Sequence, residues 1–321
     1  AYGMTSLGKY LFFWVLLVLL VGCGSKRDSL TIYTSQDQVY AEPILRDFEK
    51  QSGIKIRAIY DSEAVKTVGL VNRLIFEKNN PQCDLFWNNE ELRTRQLATK
   101  GVLNTSMRIE AFGTRTRQWV WNTNQISMAS IPKDLFTLTN AHWRSKVAIA
   151  LPLFGSTSTH FQILRQKWGK KRWKQWCRGL IANDVITVDG NSVVVQLVGR
   201  GEVALGITDS DDIRAGLKNQ LPIAGKSIVE DGFIIRNSIG YIAGSPFPIL
   251  SKRLAEYLQS NSVKDSLIEA GALDSFSSGS SQKIDWQRTV AENEIAVNAV
   301  SYTHLRAHET KANLVCRLLL E

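Results

Sequence analysis

The sequence predicts an α/β protein with two lobes, each an open, mostly parallel sheet flanked by helices. Short apolar strands alternate with amphipathic helices over residues 30–98, and the alternation resumes over residues 146–208. Alternation of this kind builds a parallel sheet with helices on both faces. Hydrophobic residues make up 44% of the 321 residues, which suffices for a sizeable core and excludes a disordered chain.

The first lobe starts with a strand over residues 30–34 and a helix whose apolar face is Ala41, Ile44, Leu45 and Phe48. These four residues have the i, i+3, i+4, i+7 spacing of one helix face. Four further elements follow: a strand over 54–60, a helix over 68–75, a strand over 84–87 and a helix over 90–98.

The second lobe is entered through a long predicted strand over residues 115–122. Its own elements are a strand over 146–150, helical stripes over 161–168 and 173–180, a helix over 193–198 and a strand over 203–208. Two strands over 232–235 and 238–242 and a helix over 250–258 then return to the first lobe. We therefore assign residues 30–117 and 231–300 to the first lobe and residues 118–230 to the second.

The two ends of the chain depart from this pattern. Lys9 precedes an apolar run over residues 11–21 that is short for a membrane span and ends at Gly22 and Cys23. This arrangement resembles a bacterial lipoprotein signal; a plain signal anchor with an incidental cysteine is the alternative. It predicts a signal peptide with upstream residues over 1–22, a lipid on Cys23 and a tether over 23–29. We expect an exported protein anchored in the membrane, facing the periplasm or the cell exterior, and a non-native tail over 301–321.

Small polar side chains follow the predicted strands of both lobes. In open parallel sheets, ligands bind beyond the carboxyl ends of the strands. Two arginines stand where the chain leaves the first lobe, and either can bind a carboxylate or phosphate through two N–H groups. The predicted ligand-binding residues are Ser35, Gln36, Glu63, Asn88, Arg115, Arg117, Ser156, Thr157, Asn191 and Asp209.

Several segments resemble, in order and spacing, the iron(III)-type family of bacterial extracellular solute-binding proteins. They lie at residues 30–35, 48–56, 101–103, 115–122, 143–149, 201–204 and 255–258. The resemblance implies a type II periplasmic-binding-protein clamshell with a double crossover hinge. It also implies a small-solute ligand that is passed to the permease and ATPase of an ABC importer, and no enzyme activity.

The identity of the solute stays open between two chemistries. Ferric-binding members of the family commonly carry adjacent tyrosines after the strand that here ends at Thr208, where this chain has Asp209 and Ser210. Convergence of Glu63, Asp209 and Asp211 predicts a hard cation such as Fe³⁺. Convergence of Arg115 or Arg117 with the helix start at Ser156 predicts an anion such as a phosphonate or sugar phosphate.

Other functions find little support in the sequence. Neither G-x-S-x-G nor H-E-x-x-H occurs, so a hydrolase on the same fold is the weaker alternative, and no cofactor is expected. His142 and His160 lack metal-ligand spacing and are expected to be structural. Basic residues interleave with tryptophans over residues 167–178 in a chain of net charge +9. We interpret them as a solvated face over buried tryptophans, and expect no nucleic-acid partner.

Overall fold

The computed structural model describes residues 29–61, 68–153, 155–275 and 284–304. The predicted signal peptide, Cys23, Glu63 and most of the predicted tail lie outside these residues. Within them, no helix is both long enough and apolar enough to cross a membrane.

Strands and helices alternate in the described chain much as predicted. The strands are β1 (Leu30–Thr34), β2 (Ile56–Tyr60), β3 (Leu85–Asn88), β4 (Glu110–Asn122), β5 (Val147–Ala150), β6 (Ile186–Val188), β7 (Leu205–Asp209), β8 (Ile223–Ser227) and β9 (Ile234–Tyr241). The helices are α1 (Gln38–Ser52), α2 (Val68–Phe76), α3 (Leu92–Thr99), α4 (Gly155–Ala182), α5 (Asn191–Gly199), α6 (Ser210–Lys218), α7 (Pro248–Leu258), α8 (Asn261–Ala270) and α9 (Trp286–His304).

The strands form one sheet in the order β2-β1-β3-β9-β4-β7-β5-β6, with β8 also paired to β4. The outer strands pair in parallel, as predicted: β1 with β2 and β3, and β5 with β6 and β7. The central strands β4 and β9 are antiparallel to their neighbours. The sheet thus has a first half, from β2 to β9, and a second half, from β7 and β8 to β6. The lobe boundaries given above stay a prediction.

Strand β4 belongs to both halves. Residues 110–116 pair with β9, whereas residues 117–122 pair with β7 and β8. The chain returns beside it, because Ile228 N–H donates to the Arg117 carbonyl at 3.2 Å and Arg117 N–H donates to the Phe233 carbonyl at 3.1 Å. The chain thus crosses between the two halves twice, in β4 and in residues 228–233, and these two crossings lie side by side at Arg117.

Sequence prediction differs from the structure at these crossings. β4 begins at Glu110, five residues before the predicted start, and β9 is one strand where two were predicted. The strands β6 and β8 were not predicted. In β9 the run of apolar residues is interrupted by Arg236 and Asn237, which separated the two predicted strands.

Each half has its own apolar core. In the first half, helix α1 buries the predicted face from Ala41 to Phe48 against β1 and β3. In the second half, Trp173 and Trp176 of α4 are buried, while Lys170 and Arg172 just before them are exposed. This agrees with the interpretation of the basic stretch as a solvated face.

Candidate functional site

The carboxyl ends of the parallel strands meet between the two halves. Ser35 follows β1 and Asn88 ends β3, while Asp209 ends β7 in the second half. Ser156 lies in the first turn of α4, and Arg117 lies at the crossing of β4 opposite Asp209 in register. These residues are all buried.

Arg117 and Asp209 form the centre of the site in the second half. Arg117 Nη1 donates to Asp209 Oδ1 at 2.6 Å and to Asn191 Oδ1 at 3.1 Å, with Ser156 Oγ at 3.4 Å. Asp209 Oδ2 accepts from Ser156 Oγ at 2.6 Å and from Asn191 Nδ2 at 3.1 Å. Thr157 Oγ1 donates to Asn191 Oδ1 at 3.3 Å. Because α4, α5 and α6 begin at Gly155, Asn191 and Ser210, three helix N-termini, which favour negative charge, lie around this cluster.

Arg115 connects this cluster to the first half of the sheet. Its Nη1 donates to Asp211 Oδ2 at 2.6 Å and lies 3.7 Å from Asp209 Oδ2. Its Nη2 donates to the backbone carbonyl of Asn89, at the end of β3, at 2.6 Å. The guanidinium therefore holds one carboxylate of the second half and one carbonyl of the first.

In the first half, Ser35 is the centre of a second hydrogen-bond cluster. Ser35 Oγ donates to Asn88 Oδ1 at 2.5 Å and accepts from the Asn89 N–H at 3.0 Å. Asn88 Nδ2 donates to Thr94 Oγ1 at 3.2 Å. Gln36 lies at the edge of this cluster, where Asn237 Nδ2 donates to its Oε1 at 3.5 Å.

Two further contacts join the halves beside this site. Arg93 Nη2 on α3 donates to the Leu153 carbonyl before α4 at 3.2 Å. Thr159 Oγ1 on α4 donates to Glu90 Oε2 at 3.3 Å. Burial raises the pKa of the Glu90 carboxyl and lowers that of the Arg93 guanidinium. The halves therefore contact each other through polar groups that are shielded from water.

Three polar atoms of the Arg117 and Asp211 side chains have no hydrogen-bond partner in the described part of the chain. They are Nε and Nη2 of Arg117 and Oδ1 of Asp211, and all three are buried. An unpaired buried polar group costs about 1–3 kcal/mol, so such groups normally have a partner. These two side chains thus offer two donors and one acceptor.

The electrostatics of Asp211 follow from burial beside Asp209. Burial raises the pKa of the Asp211 carboxyl, and the Arg115 guanidinium opposes part of that rise. For Arg115, burial lowers the guanidinium pKa, but Asp211 and Asp209 raise it by more, so its net direction is upward. Arg115 therefore keeps its positive charge in the buried site.

Three aspartates of the site are close enough to share a cation. Asp209, Asp211 and Asp212 each offer a carboxylate oxygen, and these oxygens lie within 4.8 Å of one another. Two of the three are already ion-paired with Arg115 or Arg117 at 2.6 Å. Tyr40 on α1 lies near them: burial raises the pKa of its phenol, and Asp211 and Asp212 add to the rise. A phenolate ligand is therefore disfavoured unless a cation is bound.

The structure brings nearly all the predicted residues into one connected network. Ser35, Asn88, Arg115, Arg117, Ser156, Thr157, Asn191, Asp209 and Asp211 are linked through the hydrogen bonds given above, whereas Gln36 contacts only its edge. Glu63 lies outside the described residues. Two open surface grooves of about 490 and 590 Å³ elsewhere on the molecule contain none of the predicted residues.

Sequence reasoning missed Asn89, Glu90, Arg93, Thr159 and Tyr40. The turn after β3 gave a usable signal, because Asn88, Asn89 and Glu90 are consecutive polar residues after a buried strand. Arg93 and Thr159 gave none, since their contacts depend on how α3 and α4 meet across the halves.

Comparison with known proteins places this architecture among binding proteins. The family model for bacterial extracellular solute-binding proteins matches residues 30–272. An Fe(3+)-binding periplasmic protein of Serratia marcescens is 25% identical over 224 residues, in a match that covers 64% of this chain. The chain spans 64% of the length of that curated relative.

Solved structures give the same fold at lower sequence identity. Iron-bound HitA from Pseudomonas aeruginosa has a TM-score of 0.70 and 15% identity, covering 91% of this chain and 98% of that one. AfuA from Actinobacillus pleuropneumoniae, with fructose-6-phosphate bound, has a TM-score of 0.70 and 17% identity, covering 88% of this chain and 100% of that one. Proteins of this fold therefore include one solved with a metal and one solved with a sugar phosphate.

Proposed function

The chain belongs to the family of bacterial extracellular solute-binding proteins, and from that premise we propose that it captures a small anionic solute. We propose further that it delivers this solute to the permease and ATPase of an ABC importer and catalyses no reaction. A lipid on Cys23 would hold it at the membrane surface, where the importer is reached.

The buried guanidinium of Arg117 carries the assignment of an anionic solute. Its side chain is 0% exposed, yet Nε and Nη2 lack a hydrogen-bond acceptor among the described residues. A phosphate, phosphonate or carboxylate group offers two oxygens in the geometry that a guanidinium binds. The N-termini of α4, α5 and α6 add favourable dipoles for the same charge.

The three aspartates favour a second candidate, a cation such as Fe³⁺, which the names of two relatives mention. Its weakness is electrostatic, because two guanidinium groups lie within 2.6 Å of the carboxylates that would be its ligands. A cation would have to bind beside two fixed positive charges, which repel it.

Binding measurements on charge variants test the proposal. The probes are inorganic phosphate, glucose 6-phosphate, 2-aminoethylphosphonate, citrate and ferric chloride, each applied by thermal shift and then by calorimetry. We expect at least one of the anions, applied without iron, to raise the midpoint temperature of thermal unfolding. The double variant Arg117→Gln/Asp209→Asn, which removes both partners of the pair, should lose about 30-fold or more in affinity, since truncating a buried charged contact costs about 2 kcal/mol or more.

The single variants separate the two candidate solutes. Asp209→Asn should retain anion binding, because Arg117 keeps its charge, whereas a cation site would lose a ligand. Arg200→Gln is the matched control, since that side chain is 65% exposed and distant in the fold. Binding of ferric ion alone that Asp209→Asn abolishes, with no binding of any anion, would establish the cation instead.

A further inference from the structure

The basic stretch around helix α4 takes no part in the candidate solute site, and its charge is not balanced locally. Residues 135–183 contain nine lysines and arginines and no aspartate or glutamate. Three of the nine, Arg144, Arg165 and Lys167, pair with carboxylates outside this segment. Much of the positive charge of the chain is therefore concentrated in one segment of the second half.

This charge lies on the exposed side of the second part of α4, which the non-helical Gly169 separates from the first part. The residues that the second part buries are Trp173, Trp176, Cys177 and Leu180. Lys171 and Arg178 are exposed and seven residues apart, so they lie on one face, about 10 Å apart along the axis and opposite the buried residues. Lys170, Lys171 and Arg178 have no ion-pair partner in the described part of the chain. We call these three side chains the basic face.

Helix stability does not explain the basic face. The second part of α4 begins after Gly169, so Lys170, Lys171 and Arg172 lie in its first turn, where a helix favours negative charge and disfavours positive charge. Arg172 stacks on two aromatic rings at 5.3 Å, whereas neither lysine has such a contact among the residues that the structure describes. A local rule broken without a compensating contact is typical of a functional surface.

The partner that this surface fits is a negatively charged lipid bilayer. The anchor proposed at Cys23 leaves only residues 23–29 as a tether, which spans at most about 25 Å and would keep the chain beside the headgroups. Each lysine or arginine near an anionic bilayer adds about fivefold to membrane affinity. We propose that the basic face docks on acidic phospholipid headgroups. The inference rests on the proposed anchor and is independent of which solute is bound.

The acetylation rates of individual lysines in the anchored protein test this docking. The lipidated full chain is inserted into vesicles of phosphatidylcholine, or of an equal mixture of phosphatidylcholine and phosphatidylglycerol, and acetylation is followed by mass spectrometry. We expect Lys170 and Lys171 to react about fivefold or more slowly on the mixed vesicles, the effect on affinity of one basic residue. Sodium chloride at about 1 M, where the screening length is about 3 Å, should restore their rates. Lys252, on α7 of the first half, is the internal control, and its rate should not change.

Arg178→Gln tests the same face through a residue that acetylation does not modify. It should weaken docking and raise the rates of Lys170 and Lys171 on mixed vesicles by about fivefold, toward those on phosphatidylcholine. Arg200→Gln is the matched control, because that side chain is 65% exposed and follows α5, which packs on the opposite face of the sheet from α4. It should leave both rates unchanged.

The outcomes separate the basic face from the anchor on which the inference rests. Equal rates of Lys170 and Lys171 on the two kinds of vesicle would overturn the lipid surface and favour an acidic protein partner instead. A chain that phosphatidylcholine vesicles fail to retain would contradict the anchor alone. Salt-sensitive capture of that chain by mixed vesicles would still support the basic face, whereas no capture would overturn it as well.

Discussion

At the scale of single residues, the site could be predicted only in part. The sequence put Ser35, Asn88 and Asp209 at or just after strand ends, where the structure also has them, because strand ends are visible in the hydrophobic pattern. The pairing of Asp209 with two arginines was not visible, since it depends on the register of β4 against β7 across about ninety residues of chain. Long-range register is set by packing that local sequence does not encode.

His160 shows how a buried residue near the site serves the crossings of the chain. Its Nε2 lies 2.5 Å from the Asp231 carbonyl, which can only accept, so this nitrogen donates the proton. Its ring stacks on Phe233 with a centroid distance of 6.4 Å. Burial and the nearby Arg117 charge lower the pKa of His160 to about 3. The residue is structural, in agreement with the sequence analysis.

We predict that His160 makes the protein less stable as the pH falls. The unfolded histidine takes up a proton near pH 6.5, whereas the folded one does so only near pH 3, so the unfolded state binds more protons between these values. Its contribution to the free energy of unfolding should therefore fall by up to about 1.4 kcal/mol for each pH unit below 6.5. Urea unfolding at pH 7, 6 and 5 measures this against His160→Gln, which lacks the titration.

The exposed His142 provides the control for that series. His142→Gln should show the same dependence of stability on pH as the unchanged protein. If the free energy of unfolding varies with pH in the same way in the unchanged protein and in His160→Gln, then His160 does not cause the loss of stability at low pH.

At the scale of elements, the halves are joined by helices as well as by strands. α3 of the first half and α4 of the second both contact α9, through Gln96 Nε2 to Glu294 Oε1 at 3.1 Å and Gln166 Nε2 to Thr289 Oγ1 at 2.9 Å. Sequence periodicity predicted helices at α3 and α4 but not the contact between them. It also predicted no helix at α9, although most of its residues were assigned to the first lobe. Which helices meet is a property of tertiary packing, and periodicity indicates only which face is buried.

We predict that Arg93 stabilises the contact between α3 and α4. Arg93→Gln removes the bond to the Leu153 carbonyl, so the ligand-free protein should populate a more open form with a larger radius of gyration. The apparent affinity for the solute is proportional to the fraction of molecules in the closed form. Loss of a contact worth about 1 kcal/mol should therefore lower that affinity several-fold. Small-angle scattering with and without a bound solute measures both states.

A surface arginine of the first half serves as the comparison for this variant. Arg46→Gln, at a side chain that is 68% exposed on α1, should leave the scattering profile unchanged. An Arg93→Gln profile that matches the unchanged protein in both states would exclude a role for the contact in closure.

At the scale of the whole molecule, the fold class was predictable and the centre of the sheet was not. Alternating strands and helices predicted the parallel outer strands of both halves. The antiparallel strands β4 and β9 were predicted only in part, β4 from residue 115 and β9 as two separate strands, because polar residues interrupt the apolar pattern of both. The places where the pattern fails are thus the places where the candidate site lies.

We predict that the mature chain is held to the membrane through Cys23. Expression in a bacterial host with labelled palmitate should label the unchanged protein and place it in the membrane fraction, because two or more acyl chains anchor stably. Cys23→Ser should lose the label. Cys83→Ser is the control, since that thiol is buried in the folded domain and should not affect labelling. Retention of label by Cys23→Ser would refute the anchor.

The order of β3 and β9 in the sheet also governs when the protein can fold. β3 gains its neighbour β9 only after some 150 further residues have been made, and β4 depends on the same late strand. A nascent chain that ends anywhere within the second half therefore has an incomplete first half, with the edge of β3 unpaired. Pairings between distant segments also form slowly. For a protein of an exported family, a first half that stays incomplete until late in synthesis is compatible with passage through a secretion channel, which a folded domain would obstruct.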